Sequence, residues 1–312
     1  MSLTHGGEGA PPAAAAPPAV LGFIANQSAG AASACDAEAV AGRVQSVFPG
    51  SQLQVEIAQP KQLDAALERV FAAAKDGVVV FGGDGTARAA ARRAMDRGTP
   101  IAVLPGGTMN VLAKLVFGHD DLDKTIDTLP HCEPTALDVG YVGEEPFFLS
   151  AAFGFAGPMA RFREEMRPPR QWRRIGAASL SLARGLGPSL RGGVKWRPQG
   201  RGEWRRAHTL VTAVGSIDRV ISPEDQPMDA RARMQAVGVR IRSGWDLARL
   251  GGDVLADDWR ESEQVAMAGA RCFDLDLRTR RPLVVLDGEP MRLSNVAEVY
   301  VRPRQLPVLA PL

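Results

Sequence analysis

Gly82-Gly83-Asp84-Gly85-Thr86 follows the apolar residues Val78 to Phe81 and precedes an alanine-rich run from Ala87 to Met95. The glycines allow positive φ and close backbone approach. A helix starting there points free N–H groups and the positive end of its dipole at whatever lies above the strand's carboxyl end. That chemistry is anion binding, and phosphate suits it. An ordinary tight turn between a strand and a helix would use the same residues, so the motif alone leaves both readings open. Two further loops have a comparable make-up: Asn26-Gln27-Ser28-Ala29-Gly30 and Pro105-Gly106-Gly107-Thr108-Met109-Asn110. Near the end, Leu283 to Leu286 run into Asp287-Gly288-Glu289, a hairpin signal with an acid straight after it. A solvated turn glutamate would read the same way.

These loops need rigid elements to hold them. Val78 to Phe81 is too short for a helix and is β-branched or aromatic, which predicts a buried strand of a parallel sheet. Val20 to Ala25 predicts a strand before the Asn26 loop. A helix then carries Val40, Val44, Val47 and Phe48 on one face, with a cap near Ser33 and an end at Pro49-Gly50. Leu53, Val55 and Ile57 alternate as a strand, and Leu63, Leu67, Phe71 and Ala74 mark a helix. After the helix to Arg97, with Gly98 as its stop, come a strand over Ile101 to Leu104, a helix through Leu115 and another over Leu122 to Leu129. Strands alternating with helices imply a doubly wound α/β sheet, whose ligands sit outside the strands' carboxyl ends. The Asn26, Gly82 and Gly106 loops would then share one edge and outline a nucleotide cleft.

From Thr135 the rhythm changes. Ala136 to Val142 and Phe147 to Phe155 read as strands with only the Gly143 turn between them. Shorter pieces follow at Gly193 to Arg197, Trp204 to Val214, Met234 to Arg242, Gln264 to Ala268, Phe273 to Arg278 and Leu283 to Leu286, a pattern that suggests a β-sandwich. The expected architecture is therefore α/β plus β. It comprises a disordered tail over 1–19, a Rossmann-like nucleotide-binding domain over 20–136, and a second, β-sandwich domain over 137–302.

Bulk composition narrows the function classes. A chain of 312 residues, 45% hydrophobic and 23% charged, is ordinary globular material. A net charge of +2 gives no case for a nucleic-acid partner. The charge is uneven, since Arg161 to Arg206 holds thirteen Arg or Lys against three Glu, a local excess of +10 that leaves −8 elsewhere. Cys35, Cys132 and Cys272 are scattered without metal-ligand spacing, which fits a reducing cytoplasm. The start is broken by Pro11, Pro12, Pro17 and Pro18 and has no Lys or Arg before Arg43, which argues against a signal peptide. No stretch reaches the ~18 apolar residues of a membrane span, so membrane contact would be peripheral. Neither a Walker A sequence, a Gly-x-Ser-x-Gly elbow nor a His-Glu-x-x-His occurs, and the four histidines are scattered. Nothing in the sequence fixes an oligomeric state.

Taken together, Asn26 to Gly30, Val79 to Thr86, Leu104 to Asn110, Leu137-Asp138-Val139-Gly140 and Leu286 to Glu289 resemble, in order and spacing, the diacylglycerol kinase catalytic-domain family. Sphingosine, ceramide and NAD kinases are among its wider relatives. The resemblance runs over residues 20 to 310 and implies a nucleotide-binding α/β domain that the last residues, 303–312, rejoin after the sandwich. It further implies a kinase using ATP and Mg²⁺ that phosphorylates a lipid hydroxyl, with diacylglycerol favoured. Other acceptors, such as a sphingoid base, ceramide or NAD, are alternatives within the superfamily; a non-catalytic nucleotide- or lipid-binding member is the alternative outside enzymes. By the same resemblance, Asn26, Gln27, Ser28, Ala29, Gly30, Gln59, Gly82, Gly83, Asp84, Gly85, Thr86, Gly107, Thr108 and Asn110 would hold the nucleotide. Asp84 and Asp138 would organise Mg²⁺ through water, and Glu289 would take the acceptor's proton. The expected location is the cytoplasm, peripheral at the inner membrane face, with the basic segment and Trp172 on anionic lipid. The chain departs from the family pattern at Gln27, Gln59, Arg88 and Ser150, and the family's Asp-Gly metal loop is not recognisable between Ile221 and Val239.

Overall fold

The computed structural model describes residues 20–26, 37–107, 109–154, 193–216, 234–241 and 259–311. The tail over 1–19, Gln27 to Gly30, the cap at Ser33, Thr108, most of the basic segment with Trp172, and most of the stretch searched for a metal loop lie outside the described residues.

The first part is β1 (Val20–Asn26), α1 (Ala37–Val47), β2 (Gln52–Ala58), α2 (Leu63–Ala73), β3 (Gly77–Gly82), α3 (Asp84–Arg97), β4 (Ile101–Pro105), α4 (Val111–Phe117) and α5 (Leu122–Thr128). The strands lie parallel in the order β2-β1-β3-β4. β3 and β4 are buried along their whole length, as central strands covered by helices on both faces must be, and this is why they read as unbroken apolar runs. Asn26 pairs with Ala58 and Gly82 with Pro105, so the ends of all four strands meet on one edge. Helix α3 begins three residues before its alanine run, and Gly98 closes it at φ +69°.

The rest is all β: β5 (Cys132–Val142), β6 (Glu145–Phe147), β7 (Ser150–Gly154), β8 (Val194–Pro198), β9 (Arg205–Ala207), β10 (Thr209–Val214), β11 (Met234–Val239), β12 (Val265–Ala270), β13 (Cys272–Leu277), β14 (Leu283–Leu286), β15 (Glu289–Arg292) and β16 (Glu298–Pro311). One sheet runs β12-β11-β10-β7-β14-β15. Phe153 and Leu286 from this sheet share a core with Phe147, Trp196 and Phe273, which belong to strands of the other. The α/β unit and the sandwich are joined by one long antiparallel pair. Residues 306–311 of β16 run against 132–137 of β5 beside β4, and 299–302 run against 139–142, with a register shift between Arg302 and Leu306.

Two strand expectations need correction. The strand expected over Phe147 to Phe155 is divided in its described part, up to Gly154, into the end of β6 and β7, because the N–H groups of Phe148, Leu149 and Ser150 turn to the Asp287 carboxylate at the corner between them. Trp204 to Val214 divides at His208, where the chain leaves β9, paired to β8, for β10 in the opposite sheet.

Gly140 pairs with Phe147, and a methyl group at position 140 would overlap the phenyl ring. A glycine inside a strand marks such a close approach. Gly140→Ala is therefore expected to destabilise the fold by about 1–3 kcal/mol, the usual range for overpacking a core. Equilibrium denaturant unfolding checks this, and an unchanged midpoint would mean that Phe147 moves aside freely.

Candidate active site

Two of the four strand ends on the common edge, those of β3 and β4, are built for close backbone packing. A Cβ on Gly82 would stand 2.8 Å from the Thr86 Cβ, one on Gly106 2.9 Å from the Gly82 nitrogen, and one on Gly107 2.7 Å from the Gly83 Cα. The two glycine loops therefore lie directly on one another. Their N–H groups are not equivalent. Gly106 N–H donates to the Gly82 carbonyl (3.2 Å) and Gly107 N–H to Asn110 Oδ1 (2.7 Å), so these donors are committed to holding the loop. Asn110 takes a left-handed conformation (φ 51°) to make that contact. In α3, by contrast, the first intrahelical bond is Ala87 N–H to the Gly83 carbonyl (3.0 Å). The N–H groups of Asp84, Gly85 and Thr86 precede it and have no carbonyl four residues back within the helix. They are the donors an anion would meet.

Thr86 is buried, with its side chain against Gly82, and its hydroxyl accepts from Asn26 Nδ2 (3.0 Å). This ties the end of β1 to the first turn of α3. Gln59 is exposed, one residue past β2 on the same edge, with its side chain making no cap bond.

The acids are placed differently from one another. Asp84 Oδ1 accepts from Val111 N–H (2.7 Å) and Oδ2 from Asn110 N–H (3.3 Å), which fastens the start of α3 to the start of α4. Glu289, 205 positions later in the sequence, comes to the same place. Its Oε1 is 3.2 Å from where a Gly85 Cβ would be, over the helix N-terminus. The device that brings it is the β14–β15 hairpin. Leu286 pairs with Glu289 across a two-residue loop, Asp287 (φ +50°) and Gly288 (φ +87°), the doubly positive geometry that Asp-Gly favours. Met109 Sδ is 3.6 Å from a Cβ placed on Gly288, so the hairpin tip touches the Gly106-to-Asn110 loop. Asp84, Val111, Phe148, Asp287 and Glu289 line a common cavity with Arg88. Asp138 does not line it; its Oδ1 accepts from Arg304 N–H (2.9 Å) at the β5–β16 register shift.

Asp287 and Arg88 anchor this arrangement. Asp287 accepts from the N–H groups of Phe148 (2.9 Å), Leu149 (2.8 Å) and Ser150 (3.0 Å). Burial pushes its carboxyl up from the usual range, opposed by those three donors and by Arg88. Arg88 is 8% exposed and donates to the Pro146 (2.8 Å) and Leu286 (3.1 Å) carbonyls. Burial lowers its pKa, opposed chiefly by Asp287. The sequence signal for Asp287 was the turn motif itself, whereas nothing local announces Arg88.

Among the described residues no group of three or more His, Cys, Asp or Glu could by itself hold a metal ion. A site with one or two carboxylates suits a magnesium shared with substrate phosphates rather than one caged by protein alone. The free N–H groups of α3 beside Asp84 and Glu289 fit that division of labour.

Residues 20–142 match the family model described as "Diacylglycerol kinase catalytic domain". A protein of Streptococcus pneumoniae serotype 4 named "Putative lipid kinase" is 35% identical over 74 residues, a stretch covering 23% of this chain and 25% of that protein. Solved structures share the whole architecture. One titled "Crystal structure of a putative diacylglycerol kinase from Bacillus anthracis str. Sterne" superposes with a TM-score of 0.68 at 14% identity, over 96% of this chain and 98% of that one. Another, of a diacylglycerol kinase from the same organism, gives 0.63 at 13% identity over 94% and 96%. At such identities the likeness is one of fold: a Rossmann-like domain with a β-sandwich.

Proposed function

We propose that this chain is a lipid kinase that transfers the γ-phosphoryl group of ATP to a lipid hydroxyl, with diacylglycerol as the favoured acceptor. The observation that carries the reading is the meeting of Glu289 with the N-terminus of α3, because a general base and a phosphate cradle are needed side by side and here come from opposite ends of the chain. Mg·ATP supplies the transferable group and neutralises its charge. The N–H groups of Asp84, Gly85 and Thr86 would hold phosphate oxygens, with Asp84 orienting the metal's water on that side. Glu289 would accept the acceptor hydroxyl's proton as its oxygen attacks. Phe148 and Val111 offer an apolar wall beside the carboxylate for the non-polar part of the acceptor. Asp138, at the junction of the two units, is assigned a supporting role through the β5–β16 strand pair rather than direct contact with the phosphates.

Transfer of radiolabelled phosphate from ATP over a panel of diacylglycerol, ceramide, sphingoid base and NAD tests this. Labelling of diacylglycerol above the others is the expected result. Nucleotide binding without transfer to any of them would favour a non-catalytic member of the fold.

On this reading the enzyme would work peripherally at the cytoplasmic face of a membrane, where its lipid substrate resides. Among the described residues no helix is long and apolar enough to cross one. Within the described part of the basic segment, Trp204 is 42% exposed on the β8–β9 hairpin, with the Arg197 guanidinium 4.6 Å from its ring centre and with Arg201 and Arg206 exposed nearby in sequence. An amphipathic ring among arginines suits a headgroup layer, and each basic residue near an anionic surface contributes ~1 kcal/mol. Co-sedimentation with vesicles should rise with anionic lipid and fall with salt, and it should weaken in a Trp204→Ala, Arg201→Gln, Arg206→Gln variant. Binding indifferent to lipid charge and salt would reduce these residues to ordinary surface.

A further inference from the structure

We propose that Arg88 is a positioning residue, a bolt between α3 and the Asp287-Gly288 turn that fixes where Glu289 stands over the glycine loop. The inference rests on the kinase reading for its consequence in turnover, but its geometry stands without it. Arg88 lies one helical turn after Asp84, so it rides on the same short segment that presents the N–H groups. Both of its terminal nitrogens leave that segment for the sandwich. Nη2 donates to the Pro146 carbonyl in β6 (2.8 Å) and Nη1 to the Leu286 carbonyl at the end of β14 (3.1 Å). Nη1 is also 3.9 Å from Asp287 Oδ2.

Asp287 passes the attachment on. Its two oxygens take the N–H groups of Phe148, Leu149 and Ser150, and its own N–H donates to the Ser150 carbonyl (2.9 Å). The planar guanidinium thus joins the end of β14, just before the turn, to β6, and Glu289 is three residues beyond Leu286. One turn further along α3, Arg92 pairs with Glu145 and makes a second, more exposed attachment to β6. An arginine so close to a phosphate-type loop could have been a phosphate ligand. Its terminal nitrogens are instead committed to the carbonyls of the second unit.

The test compares Arg88→Lys with the wild-type chain. Lysine keeps the charge beside Asp287, but a single ammonium lacks the fork that spans two carbonyls. The variant should fold, as judged by circular dichroism, and hold Mg·ATP with unchanged affinity and KM. Its kcat should fall by roughly 10²-fold, the scale of a 1 Å misplacement of a reacting group. Hydrogen exchange at the Leu149, Ser150 and Glu289 amides should quicken by at least about tenfold as the corner opens locally. A kcat and an exchange pattern both like wild type would overturn the bolt. Loss of ATP affinity in step with kcat would also overturn it, by making Arg88 a nucleotide-side group.

If Arg88→Lys fails to fold, the double variant Arg88→Met, Asp287→Asn removes both buried charges and gives the same readouts. Wild-type turnover in that variant rejects the proposal. A wild-type chain inert toward every lipid would sink the kinase reading and the turnover arm together. The exchange arm would still accept or reject Arg88 as what holds the turn.

Discussion

Glu289→Gln is expected to leave the fold and nucleotide binding in place while lowering phosphoryl transfer by ~10²–10⁴-fold, the usual cost of a lost general base. The substitution is isosteric, and Glu289 is exposed at the start of β15, so its effect on packing is small. Its effect on stability is chiefly the lost attraction between a carboxylate and the α3 N-terminus, about 0.3–1 kcal/mol, with a smaller loss of attraction to Arg88. What the amide cannot do is take a proton. Measured ATP affinity should hold or improve slightly, since an anion beside the phosphate donors has been removed. Turnover within a few-fold of wild type would retire Glu289 as the base, and the reason for bringing Glu289 to Gly85 would have to be sought elsewhere.

Much of this site follows from local sequence. Val78 to Phe81 and Ile101 to Leu104 are pure apolar runs because both faces of β3 and β4 are covered, and the glycines after them are needed where the two loops touch. Asp287-Gly288 announces its hairpin because few other pairs accept two positive φ values in succession. What could not be read is long-range. β16 is a single strand of fourteen residues, yet Arg302, Pro303, Arg304 and Gln305 interrupt its apolar pattern where it passes from the sandwich to the α/β sheet. Its return to the first sheet was expected only through the family resemblance.

The same holds for side chains whose partners are distant. Arg88 sits in an alanine-rich helix and looks like a departure from a nucleotide-loop pattern, but its partners are 58 and 198 residues away. Phe147 to Phe155 is apolar enough for one strand, and the Asp287 carboxylate takes the N–H groups at the corner that divides it. Asp138 follows the motif in sequence, yet its carboxylate accepts from a neighbouring strand's backbone and does not reach the cavity that holds Asp84 and Glu289. In each case the deciding contact joins segments that no window of the sequence contains.

Asp84→Asn should damage both chemistry and structure, and the two losses can be separated. The carboxylate already accepts from the Asn110 and Val111 N–H groups, one on each oxygen. An asparagine can keep the shorter bond through its carbonyl oxygen, but its amide would turn a donor toward the Asn110 N–H. That should cost about 1 kcal/mol, the value of a lost cap, and lower the unfolding temperature by a few degrees. Each carboxylate oxygen has a second lone pair, and these are what remain for the water of a metal shared with phosphates. Removing the charge should therefore raise the Mg²⁺ concentration needed for half-maximal rate and lower turnover by ~10²-fold or more at saturating ATP. Glu289→Gln should leave that Mg²⁺ requirement unchanged, which distinguishes the metal-side acid from the proton-accepting one. If Asp84→Asn melts a few degrees lower yet keeps wild-type kcat and Mg²⁺ dependence, then Asp84 serves only to tie α3 to α4, and the glycine loop is a structural turn.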